Sequence, residues 1–206
     1  MSILLVRHGE TAGNAARILQ RPDVPLNERG LRQAECLADR LATLGFVHVL
    51  CSDLVRARMT AAPLLQRPGL AGVTIEETEL LQERNFGDLR GTPYSELRED
   101  PFGPDFAPPN GETWSMFHER VGAAFALIAQ RRRQLPGQLV VVTHGLVCRA
   151  VLQHHVQLPP ELEAPRAFDN TALTILDAEH PHGVRLVNCT EHLSGDLAPA
   201  RQLGAA

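Results

Sequence analysis

The chain contains no lysine, so all 20 of its basic residues are arginine. This absence excludes Schiff-base catalysis and a phosphate-binding loop of the Walker type, because both need a lysine amine. We attribute it to a coding bias of the source. Long apolar runs are also absent near the N-terminus, where the run at residues 3–6 is too short for a signal sequence or a membrane span. We therefore expect a cytoplasmic protein with no membrane partner.

The composition is that of a soluble globular protein, with 44% hydrophobic and 21% charged residues. A length of 206 residues fits a single domain spanning residues 1–206. The formal net charge of −4 gives no reason to expect a nucleic acid as partner. The four cysteines lie far apart and form no C-x-x-C motif, so we expect reduced or buried thiols rather than disulfides.

Short apolar runs alternate with amphipathic stretches along the chain. This pattern predicts strands at residues 3–6, 46–51, 73–75, 139–143, 172–176 and 184–187, and helices at residues 27–44, 53–66, 112–135 and 146–156. In the first helix, Leu31 and Ala34 are expected on the buried face together with Ala38 and Leu41. Asp53 is the expected N-cap of the second helix. The order of elements predicts an α/β sandwich with a largely parallel sheet.

Residues 84–111 are rich in proline, glycine and acidic residues. Such a stretch, with only short helical pieces, is typical of an insertion or lid. We therefore interpret residues 84–111 as a lid or insertion within the single domain.

Basic side chains follow three of the predicted strands at the point where each strand ends. Arg7 and His8 follow the first strand, Arg56 follows the second, and His144 follows the strand at residues 139–143. Ligands of open α/β sheets bind at the carboxyl ends of the strands, which the N-termini of the following helices also face. Glycine follows each histidine, which permits close approach of the backbone to a ligand. The sequence therefore predicts a site for a small, doubly negative group, and phosphate is the natural candidate.

These residue types suit phosphoryl transfer as well as phosphate binding. A neutral imidazole can attack phosphorus and form a phosphohistidine. Guanidinium groups can hold the phosphoryl oxygens and offset the charge of the transition state. The leaving oxygen needs a proton, so we expect a carboxylic acid or a histidine nearby.

At these residues the chain resembles the histidine phosphatase superfamily, also called the phosphoglycerate mutase-like family. The signature is carried by L-V-R-H-G-E-T at residues 5–11, followed by Asn14. The resemblance continues through residues 23–26, 30–34, 52–57, 60–61, 81–87, 111–113, 141–145 and 170–171. A lone R-H-G would be weak, but this collinear set covers nearly the whole chain and is very specific. It implies a three-layer α/β/α sandwich with a mostly parallel central sheet.

The resemblance also implies roles for individual residues. His8 matches the phosphorylated nucleophile, and Glu83 matches the general acid that protonates the leaving oxygen and later activates water. The phosphate-binding positions are matched by Arg7, Asn14, Arg56 and His144. No metal and no cofactor are implied. Other carboxylates that could reach the site are those of Glu10, Asp53, Asp88 and Glu112.

Two further positions bear on the branch of the family and on the rim of the site. Gly145 indicates the mutase-type branch, because the acid-phosphatase branch carries an acidic residue there. Arg21 departs from the pattern, since many relatives have glycine after the residue matching Gln20. Two other features are interpreted as incidental: the histidines at 154–155, 180 and 182 lack a zinc-ligand spacing, and the arginines at 131–133 close a long helix.

Three functions remain open from the sequence. The leading hypothesis is a metal-independent phosphomonoesterase that hydrolyses a small phosphorylated metabolite through phosphorylated His8. The alternatives are a phosphoglycerate mutase-type phosphotransferase and an inactive relative that binds a phosphate-bearing ligand. Residues 84–110 carry three arginines and five acidic residues. Because this net negative charge is unfavourable for binding a bisphosphate, it favours hydrolysis of a monophosphate whose organic part is neutral. Candidate substrates include a ribazole phosphate, a sugar phosphate, phosphoserine and a sugar bisphosphate, and a homodimer is left open.

Overall fold

The computed structural model describes residues 1–70 and 72–199, and its centre is a six-stranded sheet. The strand order is β3-β2-β4-β1-β5-β6. Strands β1, β2, β3 and β4 pair in parallel, whereas β5 runs antiparallel to both of its neighbours. The strands are β1 (Ser2–Arg7), β2 (His48–Ser52), β3 (Thr74–Thr78), β4 (Leu139–Thr143), β5 (Leu173–Asp177) and β6 (Val184–Cys189). The predicted mostly parallel sheet is therefore confirmed.

Five α-helices and several short 3-10 turns connect these strands in the described chain. The helices are α1 (Ala12–Ala15), α2 (Glu28–Leu44), α3 (Val55–Ala61), α4 (Trp114–Gln134) and α5 (Gly145–His154). The 3-10 turns are Ala62–Gln66, Glu79–Leu81, Gly87–Leu89, Tyr94–Glu96 and Gly195–Leu197. Asn27 caps α2 and Thr113 caps α4, each by accepting a hydrogen bond from a backbone N–H of the first helical turn.

Alternation along the strands divides the core into two layers. In β1, Ile3 and Leu5 pack on the face covered by α4 and α5. Leu4 and Val6 pack on the opposite face, which is covered by α2 and α3. All four side chains are buried, because a strand with helices on both faces has no solvent side. The result is the three-layer α/β/α sandwich that the resemblance implies.

The three central strands end at nearly the same level. Arg7 at the end of β1 lies opposite Thr143 at the end of β4. Cys51 of β2 lies opposite Val142 of β4. The residues that follow these strands, including His8 and His144, therefore emerge side by side at one edge of the sheet.

Two details of the predicted helices are wrong. Leu31 is 44% exposed rather than buried, because the buried stripe of α2 instead contains Gln33, Ala34, Leu37, Ala38 and Leu41. The helix predicted at residues 53–66 begins after Leu54. Its change to a 3-10 turn from residue 62 agrees with the kink or end expected at Pro63. Asp53 does not cap it; its carboxylate instead accepts two hydrogen bonds from the Gln82 amide.

Residues 84–111 form an irregular segment, and one buried arginine bonds to several carbonyl groups in and next to it. The guanidinium of Arg84 donates to the carbonyl oxygens of Pro101, Phe106 and Glu112 at 2.6–3.2 Å. It also lies 3.9 Å from the centre of the Trp114 ring. A lid function for this segment stays a prediction.

Two predictions about the chain as a whole concern thiols and membranes. Cys51 and Cys148 are buried, and all four cysteines are unpaired in the described chain. Among residues 1–70 and 72–199, no helix combines the length and the apolar character that a membrane span requires.

Candidate active site

His8 is buried at the carboxyl end of β1, with 2% of its surface exposed. Its backbone N–H donates to the Thr143 carbonyl at 2.9 Å, which ties the loop after β1 to the end of β4. Gly9 follows in close contact with α2: a side chain on Gly9 would place its Cβ 2.7 Å from the Gly30 carbonyl oxygen. The glycine after His8 is thus required by this contact between loop and helix.

The protonation of the His8 ring is fixed by one hydrogen bond. Nδ1 lies 2.7 Å from the Gly9 carbonyl oxygen, which can only accept, so Nδ1 carries the proton. Nε2 is then left with a free lone pair. Burial, followed by the charges of Arg56 and Arg7, lowers the pKa of His8 well below its ordinary value of 6.5. The ring is therefore neutral and nucleophilic at physiological pH.

His144 lies beneath this site, with its ring centre 5.0 Å from that of His8. Its Nε2 is 2.8 Å from the Ser52 hydroxyl at the end of β2. The same hydroxyl oxygen accepts the Leu54 N–H, so its own proton is free to be donated to His144. When Ser52 donates in this way, the imidazole proton is on Nδ1. Burial is also the largest cause that lowers the pKa of His144 well below 6.5.

Two arginines stand beside the His8 ring. Arg7 donates to the Phe168 carbonyl, and Arg56, on the first turn of α3, donates to the Arg21 carbonyl at 3.1 Å. Burial lowers the pKa of Arg56 to about 10, so the guanidinium remains charged at neutral pH. The Nε atoms of both arginines are buried and have no hydrogen-bond partner among the described residues.

Glu83 brings a carboxyl group to the same cavity. Its Oε1 accepts from the Arg84 N–H at 3.0 Å, and its Oε2 accepts from the Leu146 N–H at 3.2 Å. Burial raises the pKa of Glu83, although these two N–H groups and the charges of Arg56 and Arg7 act in the opposite direction. The carboxyl is thus suited to carry a proton above the pH range of an ordinary glutamic acid.

The backbone that carries Glu83 is held by an arginine of α4. Arg120 donates to the carbonyl oxygens of Leu80 and Gln82 at 2.8 Å, and it forms a two-bond ion pair with Glu112. The Glu112 carboxylate also accepts the Asn85 N–H at 2.8 Å. Arg120 therefore fixes the backbone next to Glu83. The ion pair with Arg120 also keeps the Glu112 carboxylate engaged outside the cavity.

The other carboxylates that the sequence left open are engaged elsewhere. Glu10 forms an ion pair with Arg29, and Asp88 accepts from the Asn110 amide. Of the carboxylates considered, only Glu83 lines the cavity in the described structure.

The cavity has a volume of about 360 Å³. Five of the six predicted site residues line it, namely Arg7, His8, Asn14, Arg56 and Glu83, whereas His144 lies behind its wall. The Asn14 side-chain oxygen accepts from Thr11 and Asn170, which leaves its amide N–H groups available to a ligand. The remaining wall includes Tyr94, Phe102, Leu146, Arg149, Arg166 and Phe168.

The buried donors in and directly behind the cavity wall suit an anion that offers several acceptors. Arg7 Nε, Arg56 Nε and His144 Nδ1 are buried without a partner among the described residues. A phosphate oxygen only accepts hydrogen bonds, and each of these atoms can donate one. No group of three or more histidine, cysteine or acidic side chains in the described chain could hold a metal ion.

Several residues of the site carried no assigned role in the sequence. Ser52 orients His144, and Thr60 accepts the Gly9 N–H at 2.9 Å. Ser52 could have been found, because it ends β2 as Arg7 ends β1. Phe168 contributes its backbone carbonyl, which accepts a hydrogen bond from Arg7. Arg120 donates to the backbone carbonyls of Leu80 and Gln82. No side-chain pattern in the sequence indicates such contacts.

Comparison with known proteins gives the same assignment over most of the chain. The family model of the histidine phosphatase superfamily (branch 1) matches residues 3–190. The fructose-2,6-bisphosphatase TIGAR of Xenopus tropicalis is 34% identical over 95% of this chain and 76% of its own length. The alpha-ribazole phosphatase of Shigella flexneri superposes with a TM-score of 0.77 at 26% identity, over 92% of this chain and 96% of that chain.

A phosphoglycerate mutase of Thermus thermophilus superposes with a TM-score of 0.67 at 31% identity, over 90% of this chain and 97% of that chain. The fold, the order of the motifs and the family match therefore agree. The chain belongs to branch 1 of the histidine phosphatase superfamily.

Proposed function

We propose that the protein is a phosphatase that hydrolyses a small phosphorylated metabolite through a phosphohistidine on His8. The observation that carries this proposal is the state of the His8 ring. It is neutral, its Nε2 has a free lone pair, and it lies between two charged arginines in a cavity that also contains Glu83. A nucleophile, an anion-binding pair and an acid in one cavity are the parts that phosphoryl transfer to an enzyme needs.

In the first half of the reaction, the phosphoryl group binds to Arg7, Arg56 and Asn14, with His144 Nδ1 as a further donor. The His8 Nε2 lone pair attacks phosphorus, and the bond from phosphorus to the ester oxygen breaks. Glu83 gives its proton to that oxygen, so an alcohol leaves rather than an alkoxide. The arginines offset the negative charge on the equatorial oxygens in the transition state.

In the second half, Glu83 is ionised and acts as a base. It takes a proton from a water molecule, which attacks the phosphorus of phosphorylated His8. The bond from phosphorus to Nε2 breaks, inorganic phosphate forms, and Glu83 has regained its proton. Two guanidinium groups supply the charge neutralisation for which other phosphoryl-transfer enzymes use a metal, so the mechanism needs no metal ion.

A phosphoglycerate mutase-type phosphotransferase is the second candidate, and the 31% identity to the Thermus thermophilus mutase favours it. A mutase uses the same phosphohistidine but returns the phosphoryl group to the substrate. Supplying 3-phosphoglycerate with catalytic 2,3-bisphosphoglycerate separates the two candidates. We expect free phosphate to accumulate faster than 2-phosphoglycerate. Interconversion much faster than phosphate release would establish the mutase.

The test of the nucleophile is His8→Ala, with the exposed His154→Ala as matched control. Removal of a nucleophile costs roughly 10⁴-fold or more in turnover, so His8→Ala should be inactive and His154→Ala fully active. Quenching the wild type without acid should trap phosphate bound to His8, labile in acid and stable in base. Full activity of the His8→Ala protein would end this mechanism.

We also propose a cellular location and a set of partners for the protein. We expect a cytoplasmic location, no nucleic-acid partner and a small phosphomonoester as the ligand. Whether the chain forms a homodimer is measured directly by sedimentation of the purified protein.

A further inference from the structure

The walls of the cavity carry more positive charge than a phosphate group needs. Five arginines line the cavity against a single carboxylate, that of Glu83; they are Arg7, Arg56, Arg84, Arg149 and Arg166. A cavity of about 360 Å³ holds a whole metabolite rather than a phosphate alone. The arginines beyond the phosphate position therefore face the organic body of the substrate.

Three of the five arginines are already accounted for. Arg7 directly precedes His8 in the chain, and Arg7 and Arg56 line the cavity with His8 and carry buried Nε atoms that are free to hold the phosphate. The Arg84 guanidinium already donates hydrogen bonds to the carbonyl oxygens of Pro101, Phe106 and Glu112, and it lies over the Trp114 ring. Only two guanidinium groups of the cavity wall remain.

Arg149 and Arg166 are those two groups. Arg149 lies on α5, one turn after Gly145, and Arg166 lies in the connection from α5 to β5. Both side chains are exposed, and within residues 1–70 and 72–199 neither makes a hydrogen bond or an ion pair. Arg7 and Arg56, by contrast, have buried Nε atoms, so Arg149 and Arg166 lie nearer the solvent side of the cavity.

The acidic residues of segment 84–111 do not balance these charges. None of them lines the cavity in the described structure. Asp88 accepts from the Asn110 amide, and Asp100 accepts from the Phe102 N–H. The net charge of the segment, which favoured a substrate with a neutral body, therefore does not describe the surface that the substrate meets.

We propose that Arg149 and Arg166 bind a second anionic group, a carboxylate or a further phosphate, on the body of the substrate. This inference rests on the proposed phosphatase function and names its substrate class: phosphomonoesters that carry another negative charge. Planar guanidinium groups recognise carboxylate and phosphate through paired hydrogen bonds. The two arginines are then specificity-determining residues, while Arg7 and Arg56 hold the phosphoryl group that is transferred.

The test compares substrates that differ only in the second charge. Glycerol 3-phosphate has a hydroxymethyl group where 3-phosphoglycerate has a carboxylate, and phenyl phosphate lacks the carboxylate of 4-carboxyphenyl phosphate. For each pair, kcat/KM for phosphate release is measured with the wild type, Arg149→Gln, Arg166→Gln and the double variant. Arg133→Gln is the matched control, because Arg133 is an exposed arginine at the end of α4, outside the cavity lining.

We expect the wild type to prefer the anionic member of each pair. Paired hydrogen bonds between charged groups at an exposed position should change kcat/KM about tenfold per arginine. Each substitution should therefore lower kcat/KM for the anionic member about tenfold and leave the neutral member within about twofold. Arg149→Lys, which keeps the charge but loses the paired geometry, should fall between Arg149→Gln and the wild type.

Two results would overturn the inference. In the first, the wild type hydrolyses both members through His8 with no preference for the charged one. In the second, the variants have the wild-type melting temperature, but their kcat/KM falls equally for the anionic and the neutral substrate of a pair. Either result leaves the phosphatase function in place. If instead no phosphomonoester is hydrolysed in a way that depends on His8, the proposed function fails, and the substrate class fails with it.

Discussion

Replacing Glu83 by glutamine separates proton donation from phosphoryl transfer. The wild-type carboxyl accepts one backbone N–H on each oxygen, from Arg84 and from Leu146. Glutamine keeps one of these bonds, and its amide group faces the other donor. The variant should therefore fold with a loss of about 1 kcal/mol in the free energy of unfolding, the value of one hydrogen bond.

The rates should depend on the leaving group. A general acid contributes roughly 10²–10⁴-fold, so Glu83→Gln should lower the single-turnover rate on an alkyl phosphate by about 10³-fold. Nitrophenolate leaves without a proton, so the rate of phosphorylation by nitrophenyl phosphate should fall by less than about tenfold. Hydrolysis of the phosphoenzyme needs the same carboxylate as a base. The variant should therefore release a burst of nitrophenolate equal to the enzyme concentration and then turn over slowly.

The pH dependence follows from the direction of the Glu83 pKa. Burial raises this pKa above 4.5, and the protonated form is the proton donor. The wild-type single-turnover rate on an alkyl phosphate should therefore be high below the raised pKa and fall as the pH increases through it. In Glu83→Gln this fall on the alkaline side should be absent. Equal losses on alkyl and aryl phosphates, with no burst and an unchanged pH profile, would refute the assignment of Glu83.

Other predictions test the remaining parts of the site and of the fold. EDTA should leave activity unchanged and orthovanadate should inhibit competitively, since vanadate adopts the five-coordinate geometry of the transition state; activity lost in EDTA and restored by a divalent ion would contradict this. Ser52→Ala removes the group that orients His144, so kcat should fall about tenfold or more with a smaller change in KM, whereas a change in KM alone would argue against that role. Arg84→Met leaves three carbonyl oxygens without their donor and should lower the free energy of unfolding by about 3 kcal/mol in urea titration; an unchanged midpoint would show that the segment does not depend on Arg84.

The sequence predicted the bounds of β4 better than the start of α3, for physical reasons. The strand at residues 139–143 was predicted with its observed bounds, because a fully buried parallel strand has a continuous apolar run. The start of α3 was wrong because Asp53, a typical capping residue, is drawn into hydrogen bonds with Gln82, 29 residues away in the sequence. Leu31 was placed on the buried face by periodicity alone, although its neighbours on α2 cover the core without it.

Contacts of the site that depend on the backbone were beyond the reach of the sequence. The tautomer of His8 follows from the Gly9 carbonyl, and the position of Glu83 follows from Arg120 bonded to the carbonyls of Leu80 and Gln82. Every residue has a carbonyl, so no pattern of side chains indicates which ones an arginine will bind. The net charge of residues 84–110 is a related case, because none of the acidic side chains of this segment lines the cavity in the described structure. A count along the chain does not say which side chains face the cavity.

The absence of lysine has a physical consequence inside the site, whatever its genetic origin. Burial lowers the pKa of Arg56 from 12.5 to about 10, and the guanidinium remains fully charged at neutral pH. A lysine amine begins at about 10.4. The same burial would lower the pKa of a lysine amine further, and the neutral amine can no longer attract a phosphate. The same pocket lowers the pKa of His8 and thereby keeps the nucleophile neutral. A dry pocket that needs an uncharged imidazole next to permanent positive charge therefore favours arginine over lysine at position 56.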